Sequence, residues 1–441
     1  MYRFYFLLLV VLLVVKDTNA QLMHDISKMA NADSSRLVEI FKDIHQHPEP
    51  AFMEIRTAGI AEKELRSLGY SVITGIGKTG LAAILVNGKG PVVMYRADMD
   101  CNAVKETTGL DYASTKMAKK EDGTEIPVMH ACGHDAHVTW MLGIAKIMST
   151  LKSRWKGTLV FIAQPAEEPL LGAKAMAADP KFINDVPAAD YLFAMHSWPV
   201  EVGKIINGYG VRNSGSDQLD VTFHGIGGHG STPELTKDPI VMMSNAILQY
   251  QTIISRNISA QEVAVLTVGA VQSGIENNVI PSTATAKINI RWFNESTRSL
   301  LLEKIKHINE GIAKAYDMPD YLYPEVKMKS GTIPLINDTV LAKRVNKSLT
   351  GYLGAENIIS HLPAFMGSED FTYLSSKRKI TTCDYIFVGT AGKKEMEEAR
   401  RQGKKSPFVN HNSNYKVDLS AIPIGTVIGA LSLFEMFRLN K

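Results

Sequence analysis

Cysteine is scarce in this chain, with three in 441 residues. That count allows at most one disulfide and leaves at least one thiol free. Neither sign of charge is in surplus. The 48 Lys and Arg nearly balance the 45 Asp and Glu, for a net charge of +3, and the signs alternate instead of gathering into a basic stripe. Nucleic acid is therefore excluded as a partner. The one dense charged stretch, residues 393–405, contains Glu395, Glu397 and Glu398 among its lysines and arginines, and reads as a solvated helix or loop. Internal repeats and low-complexity tracts are missing.

The most informative segment present is Met129-His130-Ala131-Cys132-Gly133-His134-Asp135-Ala136-His137. It packs a thiol, three imidazoles and a carboxylate into eight residues, and its glycine permits a tight bend that lets neighbouring side chains converge. A divalent transition metal is the natural ligand of such a set; the bland alternative is a solvated helix start. Three apolar runs add further donors. Pro91-Val92-Val93-Met94-Tyr95 leads to Asp98 and Asp100, Leu159-Val160-Phe161-Ile162-Ala163 to Glu167 and Glu168, and Tyr191-Leu192-Phe193-Ala194 to His196. Each reads as a buried strand delivering its polar group past the carboxyl end, where crevices of open α/β sheets lie. Adjacent glutamates in turn-like backbone point to different sides, so Glu168 can bind a metal while Glu167 faces the water on it.

At the N-terminus, Arg3, the apolar run 4–15 and Thr18-Asn19-Ala20 have the order of a cleavable signal peptide over residues 1–20, leaving Gln21 first. The run is shorter than the ~20 residues of a spanning helix. A secreted or periplasmic protein without stable membrane insertion is expected. In an oxidising compartment Cys101 could pair with Cys383, and Cys132 is expected to stay free because a metal-held thiolate is shielded from oxidation.

A length of 441 residues with 45% hydrophobic content predicts two domains. Before Asn213 the apolar runs alternate with helical patterns at 60–68 and 139–151, as in an α/β sheet with helices on its faces. After it come a strand at 219–223, a helix opened by Asp238-Pro239 and running to about Arg256, strands at 263–271 and 283–292, and a helix at 296–316. That order fits a small two-layer α+β domain inserted into the first. The expected boundaries are 21–213 and 324–441 for the catalytic domain and 214–323 for the insert. Residues 341–353, 385–389 and 422–437 continue the mixed pattern. Asn257, Asn294, Asn337 and Asn346 stand in Asn-x-Ser/Thr matches, which carry glycans only where the host modifies them.

The ordered motifs Ile44-His45-Gln46-His47-Pro48-Glu49, Arg96-Ala97-Asp98-Met99-Asp100, His130-Ala131-Cys132-Gly133-His134-Asp135, Glu167-Glu168, Met195-His196, Gly227-Gly228-His229-Gly230, Asn278-Val279-Ile280-Pro281 and Gly367-Ser368-Glu369-Asp370-Phe371 closely resemble those of the metal-dependent N-acyl-amino-acid amidohydrolases. That group includes hippurate, aminoacylase-like and auxin-conjugate hydrolases, within the wider two-metal aminoacylase and carboxypeptidase peptidases. The resemblance implies a mixed-sheet metallohydrolase domain with a smaller ferredoxin-like lid, which could also pair two subunits. It implies two divalent ions, drawn from Zn, Mn, Co or Ni, on Cys132, His134, Glu168, His196 and His411. Glu167 becomes the base that activates metal-bound water, and Asp100 supports the centre. His229, Asn278 and Arg291 match positions that contact the substrate carboxylate or the oxyanion. His45, His47, His130 and His137 are expected to orient the site without ligating. Two departures stand out: Cys101-Asn102-Ala103-Val104 replaces a small apolar residue and Leu-Pro, and His411 is followed by Asn412-Ser413 where the family has Ser-Pro. The expected activity is hydrolysis of N-acyl amino acids. A dipeptidase or carboxypeptidase on the same metal centre, and a binding protein that has lost catalysis, are the alternatives.

Overall fold

Four parallel strands form the middle of the larger sheet because their residues are largely apolar and buried on both faces. In spatial order they are Gly157–Gln164, Val92–Asp98, Tyr191–Glu201 and Thr382–Ala391. Antiparallel Gly80–Asn87 and Ser71–Ile76 extend one edge, and the short Ile205–Ile206 and Ile358–Ile359 extend the other, making eight strands. The computed structural model describes residues 20–119, 122–375 and 382–438. The expected signal peptide thus lies outside the described residues except for Ala20. No described helix is long and apolar enough to cross a membrane.

The described chain divides into two units. The first takes residues up to Gly210, Ile336–Leu362 and those from Asp370 onward, and the second takes Val211–Leu335 with Pro363–Glu369. In the first unit, helices Ser34–Gln46, His134–Thr150 and Ala421–Phe437 pack on one another and around the strands. His134–Thr150 begins five residues before the expected 139. Its polar residues His134, Asp135 and His137 are all buried, so the apolar rhythm that marks a helix in sequence is broken where the site begins. The third strand is longer than its apolar run suggested. It extends to Glu201, which puts His196 inside the strand, beside Phe387, instead of past its end.

The second unit has the order strand Gly215–His224, helix Pro239–Thr252, strands Val265–Ser273 and Thr283–Trp292, helix Glu295–Ala315, strand Glu325–Thr332. Its strands lie in the spatial order second, third, first, fourth, all antiparallel, the arrangement of a ferredoxin-like α+β unit. Asp238 accepts from the Ile240 amide at 2.8 Å ahead of Pro239, and the helix continues as a wider turn over Ile253–Asn257. Asn294 caps the second helix through the Thr297 amide at 2.8 Å. Leu301, Ile305 and Ile312 of that helix close over Leu219, Val221, Ile288 and Ile290 of the sheet. Phe365 bonds back to Arg212 and Ser214, which ties the 363–369 segment to this unit with no composition change to announce it.

Three further expectations are settled by position. All three cysteines are free. Cys101 follows the carboxyl end of its strand while Cys383 opens a parallel one, since Thr382 is level with Tyr191 and Tyr191 with Val93. Cys383 is thereby level with Met94, and about seven residues at ~3.3 Å each separate that level from Cys101, far beyond the ~7 Å reach of a disulfide. Asn337 and Asn346 are buried, with the Asn337 amide donating to Asn207, Gly208 and Tyr385, so only Asn257 and Asn294 of the four matches are exposed. The charged stretch is helical over Lys393–Arg401, and Met396 and Ala399 turn inward.

Candidate metal centre

Cys132 occupies the turn before helix His134–Thr150, and the turn is held from three sides. Gly133 has φ +76, a region that favours glycine, and a Cβ there would lie 2.3 Å from Ser197 Oγ. Ser197 Oγ donates to the Cys132 carbonyl at 2.7 Å, and Tyr415 donates to Ser197 Oγ at 2.7 Å. His411 reaches the same turn through its amide, which donates to the Ala131 carbonyl at 2.8 Å. His411 itself has φ +64, and strained backbone of this kind gathers at functional sites.

Two of the three imidazoles have the outer nitrogen engaged, which aims the other inward. His134 Nδ1 donates to the Asp100 carbonyl at 2.8 Å, and His196 Nδ1 to the Ser197 carbonyl at 2.7 Å. In the neutral rings each Nε2 then turns a lone pair inward. His196 Nε2 lies 3.5 Å and His411 Nε2 3.3 Å from Cys132 Sγ. Glu168 Oε1 is 3.3 Å from His411 Nε2 and 3.7 Å from His134 Nε2. Glu167 Oε2 stands slightly farther off, 3.9 Å from His134 Nε2. Asp100 takes no place in this ring of donors. Its two carboxylate oxygens accept from the Glu167 amide at 2.9 Å and the Glu168 amide at 3.0 Å, so it sets the glutamate loop and, through its carbonyl, His134.

The electrostatics of the cluster favour a cation at its centre. Burial and Glu168 push the Cys132 thiol up, yet His196 and His134 bring it down to about 6. Burial also works against ionised Glu168, but the hydrogen bond from His411 and the charge of His134 hold it at about 2. His411 is raised to about 10 by its hydrogen bonds with Cys132 and Glu168. Two anions thus draw positive charge into their centre. His134 Nε2 is buried without a hydrogen-bond partner among the described residues, a costly state for a polar atom. Thiolate, imidazole and carboxylate around such an atom could hold a divalent transition ion. Cys132, Glu168 and His411 bring their donor atoms within 4.8 Å of one another, as do His134, Glu167 and Glu168.

The structure thus gathers seven of the ten residues expected from sequence: Cys132, His134, Glu168, His196, His411, Glu167 and Asp100. The other three lie in the second unit. There His229 and Asn278 share a two-stranded ribbon, the Gly230 amide donating to the Asn278 carbonyl at 2.8 Å. His229 Nδ1 accepts from Ser231 Oγ at 2.7 Å and its amide at 3.1 Å, which leaves Nε2–H as the donor. Arg291 is half-buried and donates to the Met366 carbonyl and Ser368 Oγ.

Among the remaining histidines, His137 fulfils its orienting role: Nε2 accepts from the Ser197 amide at 2.7 Å and Nδ1 donates to Asp98, so neither nitrogen can ligate. His45 is clamped between Asp135 at 2.6 Å and Glu106 at 3.2 Å. His130 is buried with neither nitrogen bonded among the described residues. His47 is a correction. It is exposed, and its ring bonds the carbonyl of Asp43 at 2.7 Å, one turn back along helix Ser34–Gln46. Asp98, offered by the sequence as a further donor past its strand, lies within the strand instead and engages neighbouring side chains. It ties His137 to fully buried Arg96, 2.6 Å away, which reaches Gln164 at 2.8 Å.

Residues 94–427 match the family described as Peptidase family M20/M25/M40. The chain belongs to that family. It is 38% identical over 357 residues to hippurate hydrolase of Campylobacter jejuni, covering 79% of this chain and 87% of the relative. It is 32% identical over 368 residues to N-acetylcysteine deacetylase of Bacillus subtilis, covering 82% and 90%. A solved Bacillus subtilis structure, described as a dinuclear metal binding peptidase from the M20 family, superposes with a TM-score of 0.73 at 25% identity, covering 92% and 99%. This M20 chain is accordingly a hydrolase of amide carbon–nitrogen bonds.

Proposed function

We propose that this M20 hydrolase cleaves N-acyl amino acids to a carboxylic acid and a free amino acid, with two divalent ions bound by Cys132, His134, Glu168, His196 and His411. The observation that carries the reading is the convergence of three imidazole Nε2 atoms, a thiol of lowered pKa and Glu168, with Glu167 beside them and outside the tightest contacts. The two relatives' names, hydrolase of hippurate and deacetylase of N-acetylcysteine, support the substrate class.

When bound, the ions supply Lewis acidity that lowers the pKa of water to about 7 and polarises the amide carbonyl. The protein does the rest. Glu167 takes the proton from the attacking water and delivers it to the leaving nitrogen. Asp100 keeps Glu167 and Glu168 on their separate headings by holding both amides. Arg291 pairs with the free carboxylate of the amino acid, and His229, through Nε2–H, with Asn278 stabilises the developing oxyanion.

A substrate panel checks the reading. Acetyl, benzoyl, long-chain acyl and indole-acetyl amino acids are expected to give kcat/KM at least ~10-fold above free-amine dipeptides, the discrimination a recognised group typically provides. Arg291→Ala is expected to raise KM for the same substrates. Faster dipeptide cleavage would make the protein a dipeptidase, and no turnover at all would leave a binding protein.

Export belongs to the same proposal. Leu22, Ile26 and Ala30 are buried in the first unit's core, so cleavage after Ala20 keeps these core side chains. N-terminal sequencing of the mature protein should read Gln21 first; a product still starting at Met1 contradicts it.

A further inference from the structure

The loop bearing the two glutamates is held by a second buried carboxylate as well as by Asp100. Three consecutive amides, of Ala166, Glu167 and Glu168, donate in turn to Glu54 Oε1 at 2.9 Å, Asp100 Oδ1 at 2.9 Å and Asp100 Oδ2 at 3.0 Å. Successive N–H groups aimed at one side repel unless anions receive them. The conformation that aims them is itself unfavourable, because Ala166 has φ +48, where a Cβ crowds the backbone. The loop then closes on itself, with the Gly172 amide donating to the Ala166 carbonyl at 2.9 Å.

Glu54 is fully buried. It stands at the N-terminal boundary of helix Ile55–Ser67, yet its side chain does not cap that helix. Instead it reaches a loop 112 residues away. Oε1 also accepts from the Phe52 amide at 2.9 Å, and Oε2 accepts from the Thr79 hydroxyl. All three of these contacts are donors, so the carboxylate serves as an acceptor. Burial pushes its carboxyl up to about 7 despite the Thr79 hydrogen bond, so keeping an anion here costs the fold rather than stabilising it. Glu54 belongs to none of the groups of metal-binding donors among the described residues.

We propose that Glu54 is a positioning residue of the reaction: by accepting the Ala166 amide it fixes the left-handed turn from which Glu167 and Glu168 diverge. The inference rests on the reading of Glu167 as the base. Glu54 touches no reacting atom; its effect passes through the backbone of residues 166–168.

Metal-reconstituted variants test this on the best substrate of the panel. Glu54→Leu keeps volume and removes the acceptor. It is expected to lower kcat about 100-fold, as misplacement of a reacting group does, with KM within about threefold and Zn2+ affinity about tenfold weaker, as for lost outer partners of a metal site. Glu54→Gln retains an oxygen toward Ala166 and should stay within about fivefold of the parent, since a neutral acceptor still makes the bond. Adding Ala166→Gly to Glu54→Leu should recover kcat roughly tenfold, because glycine adopts the left-handed turn unaided. A folded Glu54→Leu protein with parental kcat and Zn2+ affinity overturns the proposal, as does a double variant no better than Glu54→Leu alone. Should Glu54→Leu not fold, Thr79→Val decides: a severalfold fall in kcat at constant KM supports the clamp, and parental kcat refutes it. Glu167→Gln in the same series separates the two levels. If it is as active as the parent, the base assignment fails; if it is inactive while Glu54→Leu is unaffected, only the clamp fails.

Discussion

Glu167→Gln protein should fold, bind metal like the parent, and lose about 1,000-fold in kcat, within the range that general acid–base groups contribute. That factor corresponds to about 4 kcal/mol of barrier. The substitution keeps the side chain's size and its backbone bond to Asp100, 2.9 Å long, so the loop has no cause to move. What it removes is a group able to take a proton from water and return it to the leaving amine. KM should change little, because Glu167 acts only as the proton moves. Stopped-flow or steady-state rates with Zn2+ binding measured in parallel check both halves. A variant that loses metal as well as rate would make Glu167 a ligand, and one that keeps its rate would remove it from the chemistry.

The second large effect is expected at Cys132. Its Sγ lies between His196 Nε2 at 3.5 Å and His411 Nε2 at 3.3 Å, so one thiolate faces donors on both sides of the cluster. Cys132→Ala should therefore weaken both ion sites together. Because loss of even an outer partner costs 10- to 100-fold, loss of this donor is expected to cost more than roughly 100-fold in Zn2+ affinity, with activity at limiting metal falling at least as far. The apo protein should remain folded, since the turn is held by Ser197, Tyr415 and Gly133 and not by the sulfur. Thermal melts with and without Zn2+ give the readout. The parent gains stability from metal by mass action, whereas Cys132→Ala should show little gain at the same concentration.

Much of this site was legible because its donors sit in short linear motifs attached to strands whose apolar runs announce themselves. Asp100, Glu167 and Glu168 follow strand ends, and Asp238-Pro239 opened its helix as a cap and first residue should. What sequence hid has a common cause: partners distant along the chain. Glu54 is one glutamate at an ordinary helix start, and only folding brings it to Ala166. Ser197 and Tyr415 act through a carbonyl, which has no sequence signal. The early start of His134–Thr150 was masked by its own function, since buried polar residues break the apolar rhythm from which helices are read. His196 was misplaced relative to its strand for the same reason. His411, without the family's following Ser-Pro, is nonetheless delivered to Cys132 and Glu168 by a positive-φ backbone, a conformation that residue type alone does not reveal.

Cys132, His134, Glu168, His196 and His411 are proposed to hold a pair of ions together. Calorimetric titration of metal-free protein with Zn2+ addresses this directly. Two equivalents bound per chain, with saturable binding lost in Cys132→Ala, is the predicted result. A single equivalent, or binding indifferent to Cys132, would contradict it.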